Sequence, residues 1–296
     1  SAYLSPMASQ SSSPMRPLNV GDVVSAAISL FRTNFVTYVG LNLKSVLWFI
    51  VPVYGWARGL MIQSQIARLG FQELMRQPET VAQSLRAVEP RLWPFLGIGL
   101  LVWLIQAGVG YAVSFAATLL TVPISVIGAA GSETASVLSV LLTFLVQLLV
   151  IAAQMWVQAR LYLWNLILAM EPDIDSTTAI NRSWELTKGN GVRVLFSLLV
   201  AYLVMLPLYA LMIAIPVIIA VPFLGSGLLE GEGPTSAAIL GIFFAILVFI
   251  ALAILIGILT APFFQTIKSV LYYDLRSRRE GMDIQFRDRP RDQSGS

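Results

Sequence analysis

Residues 171–191, EPDIDSTTAINRSWELTKGNG, form a long polar segment between two large apolar blocks. Asp175 is a good helix N-cap, and Ile180, Trp184 and Leu186 lie along the helix that follows. The stretch is too short and too polar to cross a bilayer. It reads as an amphipathic helix at a membrane surface, ended by Gly189.

Two earlier stretches have the same order of events. From Asn19 as cap, Val20, Val23, Val24, Ala27, Ile28 and Phe31 make an apolar face, and the chain breaks at Thr33-Asn34. Residues 78–89 make a second short helix with Val81, Leu85 and Val88 on one face, ended by Pro90. Laid over one another, Val24, Val81 and Ile180 coincide. So do Ile28, Leu85 and Trp184, which are the expected anchors to the membrane interface. Each short helix launches an apolar one, the pattern expected of a structural repeat.

The chain is 57% apolar and only 12% charged, with a mean hydropathy of +0.77. A soluble domain carries about 25% charge. Long apolar runs without period-two alternation point to α-helices rather than a β-barrel. Residues 92–128, 135–170, 192–224 and 237–276 read as four long crossing helices. Pro207, Pro216 and Pro222 are expected kinks. Residues 35–77, with Lys44, Pro52 and Gly55, read as a short hairpin that spans or re-enters, giving six crossings if it spans.

The expected fold is therefore an all-α integral membrane bundle of four long transmembrane helices. A short N-terminal membrane hairpin and three cytoplasmic interfacial helices complete it. The expected organisation is a flexible tail at 1–17, one membrane domain over 18–281 with units 18–77, 78–170 and 171–281, and a charged tail at 282–296. Loops 125–136 and 221–236 hold no Lys or Arg. The basic residues gather in the short helices and the C-terminal region, so the positive-inside rule places those elements and both termini in the cytoplasm.

No Cys and no His are present. Disulfides, thiolate chemistry and Ser–His catalysis are excluded, as are zinc and haem sites built on those side chains. No phosphate loop or nucleophile elbow occurs. The expectation is no enzyme, no metal and no cofactor.

Gln147, Gln154, Gln158 and Asn165 lie seven, four and seven residues apart, on one line of a continuous helix. Amides facing lipid are costly, so this stripe is expected to face protein, water or a lipid headgroup. Lys44, Arg160 and Lys268 are charges in or near apolar runs. The last two are expected to snorkel from helix ends, and together the three are candidates for an anionic headgroup. Glu171, Asp173 and Asp175 read as capping and solvated residues rather than a cation site. Asp274 is expected to pair with a nearby Arg.

LNVGDVVSAAISLFRTNF, STTAINRSWELTKGN and LYYDLRSRREGMD together resemble the membrane-domain family named for glycerophosphoryl diester phosphodiesterases. LKSVLWFIVPVYGWARG and QPETVAQSLRAVEPRLWPFL look like its cyanobacterial branch, and the resemblance covers roughly residues 18–283. The soluble catalytic barrel found fused to some members is absent. The resemblance thus implies a stand-alone membrane module in a bacterial inner membrane, or in a cyanobacterial thylakoid or plasma membrane.

The leading expectation is a non-catalytic module that organises lipid or serves as an accessory or assembly subunit. The alternative is a small transporter or lipid-handling permease using the amide stripe. Expected partners are membrane lipids, through anionic headgroups at the cytoplasmic face, and other membrane proteins; nucleic acid is not expected.

Overall fold

In a computed structural model of the chain, the described residues are 19–171, 173–228 and 236–287, with side chains omitted at 224–228, 237 and 280–287. The expected N-terminal tail, most of the Gly-rich loop at 225–236 and the last nine residues of the expected C-terminal tail lie outside them. Every regular element among the described residues is helical.

The first three helices are α1 (Val20–Thr33), α2 (Phe35–Trp48) and α3 (Tyr54–Leu74). Next come α4 (Val81–Val88), a single 3-10 turn at Glu89–Arg91, and α5 (Leu92–Ala130). The rest are α6 (Glu133–Leu161), α7 (Trp164–Met170), α8 (Ser176–Thr187), α9 (Gly191–Leu228) and α10 (Ser236–Arg287). Four segments are long and apolar enough to cross a membrane: Val81–Ala130, Glu133–Met170, Gly191–Phe223 and Ala238–Arg279. At 1.5 Å per residue α10 is about 78 Å long, far more than the roughly 30 Å hydrocarbon core. A large part of it must lie outside the lipid.

Packing divides these helices into a head and two legs. The buried core is shared by α1, α3, α7, α8, the C-terminal half of α10, the start of α5, the end of α6 and the start of α9, with smaller contributions from α2 and α4 such as Tyr38 and Val88. The legs are the α5–α6 and α9–α10 hairpins, whose apolar stretches are only 6–17% buried. Tyr111, Phe115, Val140, Leu149, Ile218 and Leu240 are exposed along them. Such a surface is stable only against lipid or another protein.

Local chemistry explains the head. In α1, the Asp22 carboxylate accepts the Asn19 N–H at 3.0 Å. Val23, Val24, Ala27 and Leu30 are buried, the two valines and the leucine each worth roughly 1.5–3 kcal/mol on full burial. Thr266 of α10 donates to the Ala27 carbonyl at 3.1 Å. The apolar face of α1 therefore packs on protein rather than lying against lipid. Asn34 turns the chain by 85° into α2. Helix α4 starts three residues later than its sequence suggests, because Thr80 caps it by accepting the Gln83 N–H at 3.2 Å.

Helix register follows from pairwise bonds. Gln265 bonds Gln63, and Ser269 bonds the Ala67 carbonyl, at a constant separation, so α3 and α10 run parallel. Asn34 to Glu73 and Asn42 to Gln63 make α2 and α3 antiparallel. The tip of that hairpin points along α10 toward its apolar half. Phe49, Ile50, Val51, Val53 and Trp56 are exposed there. Val53 has φ +60°, and Tyr54 N–H bonds the Pro52 carbonyl at 2.8 Å. This is a γ-turn of the strained kind.

The segment expected as one helix over 135–170 is broken at Tyr162-Leu163. The freed backbone is satisfied by α8. Ser183 Oγ accepts the Leu163 N–H at 3.3 Å and donates to the Arg160 carbonyl at 3.0 Å. Helix α10 continues to Arg287, so the backbone of the first residues of the expected C-terminal tail is helical.

Candidate functional site

The C-terminal end of α7 projects unpaired carbonyls into the head, and two arginines meet them. Arg91 donates to the Leu168 carbonyl at 2.6 Å and the Glu171 carbonyl at 2.5 Å. Arg68 donates to the Ala169 carbonyl at 2.6 Å. Arg68 also grips both oxygens of Glu79, at 2.9 and 2.7 Å. The hydrogen bond from Arg68, ahead of its charge, holds the Glu79 carboxyl below its ordinary value of 4.5.

Behind this end lies a chain of polar side chains linking four helices. Lys268 Nζ of α10 donates to Asn165 Oδ1 of α7 at 2.6 Å. Asn165 Nδ2 donates to Gln265 Oε1 at 3.3 Å, and Gln265 Nε2 to Gln63 Oε1 at 3.1 Å. Gln63 Nε2 donates to Asn42 Oδ1 of α2. Asn42 in turn donates to the Gly257 and Ile258 carbonyls of α10, at 3.2 and 2.9 Å. Ser45 closes the chain on the Gly59 carbonyl at 2.9 Å. The ammonium also sits under Tyr162 and Trp164, 4.8 and 5.9 Å from their ring centroids. Among the described residues Lys268 has no carboxylate partner.

Two of the residues singled out in the sequence, Asn165 and Lys268, are thus brought together. The others are dispersed. Gln147 and Gln154 are exposed on α6, and Gln158 donates to Tyr202 of α9 at 3.3 Å. The interruption at 162–163 separates Asn165 from the three glutamines, and its partners are Lys268 and Gln265 rather than Tyr202. Lys44 is exposed and does not join Arg160 or Lys268.

Arg160 and Lys268 do not snorkel: they are 6% and 7% exposed. Arg160 stacks over Trp184, 4.5 Å from the ring centroid. Ile28 and Leu85 pack partly buried against the core, whereas Trp184 is 44% exposed. Asn42, Gln63 and Gln265 were not singled out in the sequence. Each is an amide within a largely apolar helical stretch, and that is the one signal that could have found them.

Asp274 pairs with Arg193 at 3.2 Å and Arg278 at 3.1 Å, as expected of it. Asp175 caps α8: Thr178 first, then Thr177, pulls its carboxyl down to about 2. Glu171 meets Arg182 at 3.6 Å and the Tyr272 hydroxyl at 3.3 Å. Among the described residues no group of three acidic side chains could hold a metal ion.

Amides do not ionise, and no nucleophile–base pair occurs along the chain of polar groups. Its evident capacity is to lock α2, α3, α7 and α10 in register. Compared with known proteins, the chain matches no family model, no curated protein and no solved structure.

Proposed function

We propose that the protein is a non-catalytic membrane module whose head rests at the cytoplasmic leaflet and whose two hairpin legs engage lipid or a partner membrane protein. The observation that carries this reading is the division of the molecule. Salt bridges and buried polar bonds gather in the head, while the legs present nearly continuous exposed apolar surface. The cavity between α9 and α10 is in keeping with it. Its volume is about 470 Å³, and Ile213, Pro216, Val217, Ile242, Ile246 and Phe249 line it without a charged group. An acyl chain or an aliphatic helix face fits such a lining; a hydrated solute does not.

In this reading the order short helix, outgoing helix, returning helix occurs three times. The proposed units remain 18–77, 78–170 and 171–281, which hold α1–α3, α4–α7 and α8–α10. The α2–α3 tip, apolar and aimed along α10, dips into the cytoplasmic leaflet as a re-entrant element.

Photo-crosslinking from Phe115 and Ile218 in the native membrane tests the proposal. Adducts to acyl chains or to one defined membrane protein are expected. Solute flux in proteoliposomes that disappears in Gln154→Leu and Gln158→Leu would replace it with the permease reading.

A further inference from the structure

A second cavity, of about 580 Å³, opens at the base of the α2–α3 hairpin, away from the apolar tip. Pro78 and Val81 supply apolar surface to its lining, with Glu73, Arg76, Thr80 and the Arg68-paired Glu79 supplying polar groups. Glu73 accepts from Asn34 Nδ2 at 2.6 Å and lies against Tyr38. Among the described residues neither Glu73 nor Arg76 forms an ion pair.

Arg76 is also in an unusual backbone state. Gln77 N–H bonds the Gln72 carbonyl and Arg76 N–H bonds the Glu73 carbonyl, both at 3.0 Å. These two bonds define a Schellman ending for α3, with Arg76 at the left-handed position, φ +57°. Glycine is the usual residue there because any Cβ is strained. The chain instead keeps a long cation at that point, beside a carboxylate with no cationic partner, on the rim of a cavity of ligand size.

We propose that this cavity binds a small zwitterion, its ammonium against Glu73 and its phosphate or carboxylate against Arg76. The guanidinium fork suits either anion, and the Pro78 and Val81 surface accepts the short carbon linker between the two charges. A simple anion meets repulsion from Glu73, and a simple amine gains nothing from Arg76. The ligand is either free in solution or the headgroup of a zwitterionic lipid. The site belongs to the head and stands whether or not the legs organise lipid.

The test is calorimetric titration of the full chain in micelles with O-phosphoethanolamine, with ethanolamine and inorganic phosphate as controls. Saturable binding of the zwitterion is expected, at least tenfold tighter than either control. Arg76→Gly and Glu73→Gln should each weaken it at least tenfold. Arg76→Gly relieves the left-handed strain and should melt at or above the wild-type temperature, so its loss of binding cannot come from misfolding. Glu73→Gln keeps an acceptor for Asn34.

Native mass spectrometry from nanodiscs of phosphatidylethanolamine or phosphatidylglycerol identifies the source. Selective retention of the zwitterionic lipid, with or without binding of the free compound, supports the site and assigns the headgroup. Absence of binding in both arms, or binding that both variants leave intact, overturns it. Neither outcome affects the crosslinking and flux results that test the module reading.

Discussion

Lys268 reaches the amide oxygen of Asn165 across 2.6 Å, and both side chains are buried. An ammonium held by a neutral amide and two aromatic faces depends heavily on that one oxygen. Asn165→Leu should therefore destabilise the head by about 1.5–3 kcal/mol, the range for a hydrogen bond to a charged group. Lys268→Met, which removes the charge itself, should cost less. The double variant should resemble Lys268→Met rather than the sum of the two. Denaturation midpoints in one detergent measure all three.

The Arg68–Glu79 pair gives the head a defined acid sensitivity. The folded state lowers the Glu79 pKa, chiefly through the Arg68 hydrogen bond. Its contribution is full above the ordinary value of 4.5 and fades as pH falls through the lower folded value. Glu79→Gln should lose about 1 kcal/mol at pH 7, and this difference from wild type should shrink as pH drops below 4.5. Melting temperatures of both proteins between pH 7 and pH 3 check it.

Val53 adopts φ +60° at the hairpin tip, a conformation a β-branched side chain resists. Val53→Gly should raise stability by about 1 kcal/mol. A few residues on, Gly55→Ala should do the reverse, because a Cβ there would collide with the Trp48 carbonyl. Opposite shifts in denaturation midpoint are expected; equal shifts would show that the tip is not shaped as described.

The absence of cysteine makes sidedness measurable without background. Single cysteines at Asp22, Arg86 and Glu185 should react with an impermeant thiol reagent from the cytoplasmic side. One at Gly131 should react from the opposite side, and one at Ile50 should be protected from both. A split among the first three would undo the orientation argued from the basic residues.

Much of the fold was legible in the sequence because length and hydropathy are local properties. The four long helices, the three short ones and the breaks at Asn34, Pro90 and Gly189 lie close to where the residues place them. The break at Tyr162-Leu163 was not legible. No Gly or Pro marks it, and its stabiliser, Ser183, lies on another helix. That hidden break also separates Asn165 from the three glutamines. The burial of Arg160 and Lys268 was equally hidden, because Trp184 and Asn165 meet them only after the chain has folded back. In the pairing of Asp274 with arginine, sequence and structure agree, since Arg278 is one helical turn away.

The uneven burial of head and legs bears on how freely the chain can vary. A leucine on the flank of a leg answers mainly to the oily medium around it, and an isoleucine or valine would serve as well. A glutamine in the head answers to one particular atom on a distant helix. Tolerance to substitution should therefore follow depth in the head rather than greasiness: Leu240 could change at little cost, whereas Gln63 could not.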